Sequence, residues 1–241
     1  LPDERSNART RSCQLAAAAR AMKLLAIDET GVQAVNRALY RVIAERYHMD
    51  VTLVVPRFWR GEYGSLRAES EQSELRVLER RVFFSGKSHR AIYAGVFRLL
   101  HKTKPDVLYV NAEPESFLSA QCALVSSVAS PETKLVFMSW RNIDYPAGGF
   151  PYKCARLHDL AERIVLKKAS HCIAHNQRVN EILMRKGFHR ITIIPPPVDT
   201  AHFVVSEKSG VSDVFTVGFA GRFIEHKGID ILLRAVSQLP F

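Results

Sequence analysis

The sequence predicts an α/β fold in which a parallel β-sheet carries helices on both faces. Two observations support this prediction. Short runs rich in β-branched residues alternate with longer segments of helical periodicity along the chain. Hydrophobic residues make up 47% of the 241 residues, which is enough apolar surface to build a buried core. Strands that alternate with helices favour parallel pairing, because a parallel neighbour is reached only through a crossover connection.

The elements of the first half follow from the spacing of apolar residues and the positions of prolines. Strands are predicted where apolar residues form short runs, and helices where they recur at three- and four-residue intervals. Proline ends an element because it has no N–H to donate. In chain order the predictions are a strand at Lys23–Ile27, a helix from Val32 to about Tyr47, a strand at Val51–Val55 before Pro56, an irregular polar segment at 57–75, a strand at Val77–Phe84, and a helix from about Ile92 that stops before Pro105.

The same rules, together with capping residues, give the elements of the second half. Asn176 is suited to cap the N-terminus of a helix, and Gly187 is suited to end the same helix. The predictions are a strand at Val107–Val110, a helix from about Glu115 to Val128, a strand at Leu135–Trp140, a helix from about Leu157 to the Lys167-Lys168 pair, a strand at Cys172–Ala174, the helix between Asn176 and Gly187, and a strand at Ile191–Ile194. Ligands of such sheets bind beyond the carboxyl ends of the strands, so the loops at those ends are candidate sites.

Three consecutive prolines, Pro195–Pro197, predict a stiff and extended connector between two domains. After it, a strand at Val214–Ala220 and a helix at Ile229–Leu239 predict the opening of a second α/β domain. Met22 directly precedes the first strand and marks the start of the first domain. The predicted organisation is a disordered or upstream extension at 1–21, a first domain at 22–194, a linker at 195–212 and the beginning of a second domain at 213–241.

Charge and cysteine content limit the classes of function. The formal net charge is +10, and a basic surface attracts nucleic acid, anionic lipid or phosphorylated ligands, although a plain solvated surface explains the charge equally well. The four cysteines have neither metal-site nor disulfide-framework spacing, which fits a reducing cytoplasm. No apolar run reaches the length of a membrane span. We expect a cytoplasmic protein that is either free or peripheral to the inner face of the membrane, with no bound metal.

The segment Gly218–Gly228 has the residue types of a diphosphate-binding turn. Gly221 ends a predicted strand and lets the backbone approach a ligand closely. Arg222 supplies a planar fork of donors and Lys227 a point charge. Gly228 opens the next helix, whose free N–H groups attract anions. The loop matches neither the P-loop nor the dinucleotide fingerprint, and the alternative interpretation is a surface arginine and lysine beside an ordinary turn.

Two adjacent segments resemble the domain junction of family 4 glycosyltransferases. Ile193–Phe203 matches a proline-containing link with a Val-Asp pair and a nearby Phe, and Val217–Leu233 matches the Gly-Arg and Lys-Gly pairs that follow it. The resemblance implies a GT-B fold, in which two Rossmann-like domains hold the acceptor and the nucleotide sugar respectively. It implies transfer of a sugar from a nucleotide-diphosphate sugar to a glycan or lipid-linked acceptor, with retention at the anomeric carbon and without a metal or other cofactor. On this resemblance, Arg222 and Lys227 neutralise the leaving diphosphate.

The first domain departs from the family pattern at its candidate sites. The glycine-rich loop after the first strand is reduced to Gly31, an acceptor-side candidate. Arg141 and Asn142 stand where many members have a histidine, so we take them as catalytic candidates, with local capping of the strand end as the alternative. Glu113 follows another strand and is a further acceptor-side candidate, whereas the nearby Glu115 is as well suited to begin the next helix.

The family's two-glutamate motif, which holds the ribose and the donor sugar, belongs beyond the equivalent of Phe241. We therefore expect the chain to be truncated and to lack most of the donor site. A second class of function stays open, a non-catalytic α/β module that binds an acceptor glycan or a partner.

Mixed aromatic and basic loops at Arg57–Arg60 and Phe150–Lys153 are candidates for contact with an anionic membrane. We expect no nucleic-acid partner, because the sequence has neither an aromatic stacking platform nor a helix-turn-helix.

Overall fold

The computed structural model describes residues 20–61, 64–70, 73–198, 215–221 and 223–239. Contacts divide the chain into two units, Leu1–Asp199 and Thr200–Phe241. Most of the extension predicted at 1–21 and of the linker predicted at 195–212 lies outside the described residues. Among the helices that are described, none is both long enough and apolar enough to cross a bilayer.

The first unit is built on a seven-stranded sheet in which every neighbouring pair of strands is parallel. Its strands are β1 (Lys23–Ile27), β2 (Asp50–Pro56), β5 (Arg76–Arg80), β8 (Val107–Val110), β9 (Lys134–Ser139), β10 (His171–Ala174) and β11 (Ile191–Ile193). They lie in the order β11-β10-β9-β8-β1-β2-β5. The order reverses between β1 and β8, so the loops that follow these two strands diverge and leave a crevice at the carboxyl edge. The predicted Rossmann-like α/β fold is confirmed.

Helices cover both faces of this sheet, as the sequence predicts. They are α1 (Ala38–Tyr47), α2 (Val96–Thr103), α3 (Phe117–Ala129), α4 (Ala155–Lys168) and α5 (Gln177–Arg185). Alternate residues of β1 point to opposite faces. Leu24 and Ala26 belong to a core cluster with Tyr40 of α1, whereas Leu25 and Ile27 belong to a larger cluster with residues of α2, α3, α4 and α5. Burial on both faces explains why the strand is almost entirely apolar.

Both predicted caps of α5 are present. The side-chain oxygen of Asn176 accepts a hydrogen bond from the N–H of Val179 at 3.0 Å. Gly187 has φ +81°, and its N–H donates to the carbonyl of Met184 at 2.9 Å. A side chain at that φ would be strained, so the glycine ends the helix without cost.

The helix predicted from Val32 starts later than the apolar pattern indicates. Two 3₁₀ turns, Thr30–Val32 and Ala34–Arg37, precede α1. The carboxylate of Asp28 accepts from the N–H of Thr30 at 2.8 Å and from its hydroxyl at 2.7 Å, which tightens the chain directly after β1. The buried Arg37 then donates from Nε to the carbonyl of Gly31 at 2.7 Å. These side-chain bonds hold the tighter turns in place of a regular first turn of helix.

The segment 57–75 is not irregular throughout, so that prediction is wrong. It contains an antiparallel hairpin formed by β3 (Phe58–Gly61) and β4 (Gly64–Arg67). Trp59 packs against both core clusters and anchors the hairpin. The other residues of the hairpin are mostly exposed, so their polar character hides the strand signal.

The single strand predicted at Val77–Phe84 is two strands in different sheets. β5 forms the edge of the main sheet, and β6 (Val82–Phe83) turns away to pair antiparallel with β7 (Ile92–Tyr93). Gly95, with φ +76°, changes the direction of the backbone after β7. The helix predicted from about Ile92 therefore begins only at Val96, because the preceding apolar residues are used in the small second sheet.

In the second unit the described residues contain a 3₁₀ turn, Glu225–Lys227, and α6 (Ile229–Val236). The strand predicted at Val214–Ala220 is wrong, since residues 215–220 form no strand. No strand of the described residues pairs with this run, and an unpaired strand has no ladder of hydrogen bonds to stabilise it. The predicted helix is confirmed, although it ends earlier than Leu239.

Candidate functional site

A cleft of about 290 Å³ opens at the carboxyl edge of the sheet, where the strand order reverses. Its walls come from the loops after β1, β8 and β9, from the 3₁₀ turn Ser88–Arg90 and from Tyr152. Ligands of open parallel sheets bind at this position, because the diverging loops leave room there. Small-molecule sites also combine apolar walls with a few convergent polar groups, which is the composition of this cleft.

Glu29 lines the cleft directly after β1. The pKa of its carboxyl group is raised to about 7: burial is the main cause, a hydrogen bond from the hydroxyl of Ser88 opposes the rise, and the charge of Asp28 adds to it. A carboxyl group with a pKa near neutrality is present in both protonation states at pH 7. It can therefore accept a hydrogen bond from a ligand hydroxyl or donate one to it.

Glu113 lines the cleft from the loop after β8, so the structure places this predicted acceptor-side residue at the site. The hydroxyl of Ser139 donates to its Oε2 at 2.5 Å, and the N–H of Trp140 donates to its Oε1 at 2.7 Å. Burial raises the pKa of Glu113 above its ordinary value. Each oxygen has one protein donor and keeps a lone pair for a ligand.

Two aromatic side chains contribute walls to the cleft. The Trp140 ring is 47% exposed, and its centroid lies 3.9 Å from that of His175. Tyr152 stacks on His89 with ring centroids 4.0 Å apart and an interplanar angle of 10°. Burial lowers the pKa of His89, and the nearby His158 lowers it further, so both favour the neutral form of this ring. The cleft thus presents aromatic surface beside two carboxyl groups.

Arg141 is buried in an ion-pair network and does not line the cleft. Its Nη1 lies 3.3 Å from Glu115 Oε2 and its Nη2 lies 2.5 Å from Glu162 Oε1, while Lys186 Nζ lies 2.6 Å from the other oxygen of Glu162. Burial opposes the charge on Arg141, but the two carboxylates outweigh it and raise the pKa of the guanidinium. These contacts fix the turn after β9 that carries Trp140, and the catalytic role of Arg141 stays a prediction.

Neither Asn142 nor Gly31 lines the cleft, although Gly31 directly follows the cleft residue Thr30 and Asn142 lies two residues after Trp140. The side-chain oxygen of Asn142 accepts from Nδ2 of Asn176 at 2.9 Å. A Cβ added to Gly31 would lie 2.9 Å from Cγ1 of Val55, so the glycine permits close packing of its loop on β2. Their predicted roles in catalysis and acceptor binding stay predictions.

The predicted diphosphate turn of the second unit is described in part. Arg222 lies outside the described residues. Lys227 is exposed at the end of the 3₁₀ turn, and its side chain has no ion-pair partner within the ranges that the structure covers. Gly228 has φ +65° and directly precedes α6, whereas a Cβ at Gly221 would lie 3.2 Å from the ring of Phe219. Binding of a diphosphate by these four residues stays a prediction.

The sequence analysis did not identify Glu29, Ser88 or Tyr152 as site residues. The signal for Glu29 is its place beyond the carboxyl end of the first strand, where parallel sheets bind ligands. Ser88 and Tyr152 belong to no motif and reach the cleft only through the tertiary fold. No group of three or more His, Cys, Asp or Glu side chains in the described part of the chain is arranged to hold a metal ion.

Comparison with known proteins agrees with this geometry. The model of Glycosyltransferase Family 4 matches residues 30–202. Among solved structures, the chain is similar to HepE of Anabaena in complex with UDP-glucose, with 19% identity and a TM-score of 0.56, over 91% of this chain and 58% of that one. It is more distantly similar to UDP-N-acetylglucosamine 2-epimerase from Rickettsia bellii, with 14% identity and a TM-score of 0.44, over 71% of this chain and 44% of that one. A search of curated proteins finds no match.

The family match covers the loops after β8 and β9 that line the cleft but begins after β1, and the HepE structure supports the fold independently of sequence. The chain covers less than two thirds of the length of that structure. Since the family match extends over well more than half of the chain, the protein belongs to glycosyltransferase family 4.

Proposed function

We propose that the protein acts in transfer of a sugar from a nucleotide-diphosphate sugar to a hydroxyl group of a glycan or lipid-linked acceptor, with the acceptor held in the cleft. The observation that carries this proposal is the cleft at the strand-order reversal, which is lined by Glu29, Glu113 and Trp140. Family membership supports the class of reaction. The UDP-glucose bound to the similar structure of HepE supports a nucleotide sugar as the donor.

The cleft residues suit a sugar-like acceptor. The exposed ring of Trp140 packs against the apolar face of a pyranose, while the carboxyl groups bind hydroxyls at its edge. Glu113 is held on two sides by Ser139 and by the backbone of Trp140, so its orientation is fixed before a ligand arrives. A fixed carboxylate orients an acceptor hydroxyl for attack and lowers the entropic part of the barrier.

The donor side of the proposal rests on the resemblance of the domain junction. In the reaction the bond between the anomeric carbon and the diphosphate oxygen breaks, a bond to the acceptor oxygen forms, and the hydroxyl loses its proton. Arg222 and Lys227 neutralise the charge that develops on the diphosphate, which is work that a metal ion performs in other enzymes. Retention at the anomeric carbon and independence of metal belong to the same proposal.

Binding of simple sugars to the 241-residue chain tests the acceptor site. We expect methyl glycosides and short oligosaccharides to give saturation-transfer NMR signals with at least one member of the panel. Glu113→Gln and Trp140→Ala weaken that binding at least about tenfold, because each removes a direct contact. Glu132→Gln changes an exposed glutamate away from the cleft and serves as the control. Absence of binding by every glycoside, or equal binding by all variants, contradicts the proposal.

A second candidate function is a non-catalytic module that binds an acceptor glycan. It is favoured by the location of the whole cleft within the first unit, so that acceptor binding needs no residue of the second. Incubation with a panel of nucleotide sugars, the binding glycoside and a chelator separates the two functions. A glycoside product with retained anomeric configuration supports the transferase, whereas intact binding without any product supports the module.

A further inference from the structure

Three phenylalanines form a half-exposed group at one end of the first unit, and we call Phe58, Phe83 and Phe84 the aromatic tip. Their side chains are 50%, 47% and 52% exposed. Phe84 has φ +59°, a left-handed conformation that aromatic residues rarely adopt. The loops predicted for membrane contact differ from this group, since Trp59 packs on the core and Phe150 is buried.

Hydrogen bonds and close packing hold the tip in a defined conformation. The hydroxyl of Ser85 accepts from the N–H of Arg60 at 3.1 Å and donates to the carbonyl of Phe58 at 2.9 Å. Gly86 packs so tightly on the hairpin that an added Cβ would lie 2.5 Å from the carbonyl oxygen of Arg60. The β3–β4 hairpin and the loop after β6 are thereby joined. The exposure of Phe84 is therefore a property of a fixed loop.

The segment of chain that carries Phe83 and Phe84 is strongly basic. Residues 76–104 contain eight lysines and arginines and a single acidic residue, Glu79, so this segment carries +7 of the chain's net +10. The guanidinium of Arg81 lies 5.4 Å from the centroid of the Phe83 ring, and that of Arg90 lies 5.1 Å from the Phe84 ring. Cations and apolar rings are thus presented together.

The same segment lines an open groove of about 410 Å³ between the edge strand β5 and α2. Arg76, Arg80 and Lys102 contribute to the groove, together with Lys23 of β1. None of these four cations forms an ion pair within the residues that the structure describes. These four cations outnumber the one carboxylate that lines the groove, Asp50, and the resulting positive potential attracts an anionic partner.

We propose that the aromatic tip and the surrounding basic segment dock on a bilayer that contains anionic lipids. The phenylalanine rings enter the headgroup region, and the cations of the same loop, Arg81, Lys87 and Arg90, face the lipid charges. A nucleic acid would instead use free ring faces for stacking on bases, whereas guanidinium groups cover one face of the Phe83 and Phe84 rings. Docking needs neither a donor nor an acceptor, so the inference is independent of the proposed function.

Vesicle co-sedimentation of the full 241-residue chain tests this inference. The vesicles are phosphatidylcholine alone, and phosphatidylcholine with an equal amount of phosphatidylglycerol, each at low and at high salt. We expect binding only to the anionic vesicles, with loss at high salt because salt screens the attraction. The double variant Phe83→Ser with Phe84→Asn weakens binding about tenfold, since the apolar contact is removed. Asparagine is chosen because it tolerates the left-handed backbone, and circular dichroism verifies the fold.

Two further variants separate the tip from general effects of the surface. Phe97→Ser is the matched control, because Phe97 is 52% exposed but lies on α2 outside the tip, and it leaves binding unchanged. Arg81→Gln with Lys87→Gln weakens binding about tenfold at low salt. Three results overturn the proposal. The first is no binding to anionic vesicles, and the second is equal binding by the tip variant and the wild type. The third is tip-dependent binding of an oligonucleotide by a protein that does not bind vesicles.

Discussion

Replacement of Glu29 by glutamine is expected to stabilise the protein at alkaline pH. Burial in the cleft wall raises the pKa of this carboxyl group from an ordinary 4.5 to about 7, so the folded chain holds the proton more tightly than the unfolded chain. Folding is then unaffected by Glu29 at low pH, where both states are protonated. Stability falls as the pH rises from 4.5 through 7, because the unfolded chain ionises first. The neutral amide of Glu29→Gln avoids this loss and can still accept the hydrogen bond from Ser88.

The magnitude follows from the size of the shift. A shift of one pKa unit corresponds to about 1.4 kcal/mol, so the full rise from 4.5 to about 7 costs about 3 kcal/mol above neutrality. The Glu29 side chain keeps partial access to solvent, which screens the effect and reduces the expected gain to about 2 kcal/mol. At about pH 5 the gain is below about 1 kcal/mol, because the pH is then only slightly above the ordinary pKa of 4.5 and ionisation favours the unfolded chain only weakly.

Urea unfolding at about pH 5 and about pH 8 measures this difference for wild type, Glu29→Gln and the control Glu132→Gln. The free energy of unfolding of Glu29→Gln should exceed that of the wild type at the higher pH and approach it at the lower pH. Glu132→Gln should follow the wild type at both. If Glu29→Gln is less stable than the wild type at the higher pH, Glu29 is ionised at little cost and the explanation of its raised pKa is wrong.

Three further substitutions test the contacts around the site, each by urea unfolding. Gly31→Ala should cost about 1–3 kcal/mol because the added methyl group collides with Val55; an unchanged stability would show that close packing does not require the glycine and would favour a role in binding. Arg141→Met should cost about 3 kcal/mol at about pH 8 and less at about pH 5, because burial holds the pKa of Glu115 at about 7 even beside Arg141, and without the guanidinium that carboxyl resists ionisation as the pH rises further; a cost independent of pH would exclude that ion pair as the cause. Asn176→Ala should cost about 1 kcal/mol through loss of the helix cap, and a neutral result would show that the cap contributes nothing.

The sequence was sufficient to predict the parallel sheet. Each strand at the centre of the sheet is a short apolar run that is buried on both faces, as in β1. The caps of α5 are an asparagine and a glycine, which are typical residues at the start and end of a helix. Where only one or two residues of a strand are buried, the apolar pattern of the sequence does not reveal the strand. The β3–β4 hairpin is anchored mainly by Trp59, and β6 follows β5 after a single residue although the chain has already left the main sheet.

The candidate site was predicted less completely, for a physical reason. Glu113 follows a strand end and is therefore found by the rule that parallel sheets bind ligands at their carboxyl edge. Ser88 and Tyr152 are brought to the cleft by segments with no local signal of their own. Arg141 has the residue type of a ligand-binding side chain, yet its partners Glu115 and Glu162 lie 26 and 21 residues away along the chain, so only the fold shows that they occupy its guanidinium.

The central claim is that the cleft after β1, β8 and β9 holds the acceptor, and Trp140 fluorescence tests it most directly. The chain contains two tryptophans, so Trp59→Phe leaves Trp140 as the only indole reporter. Titration of this variant with methyl glycosides and short oligosaccharides should give a saturable change in emission for at least one sugar, and the change should disappear when Glu113→Gln is added. Saturable binding of a sugar, detected by calorimetry, that leaves the Trp140 emission unchanged would contradict the claim.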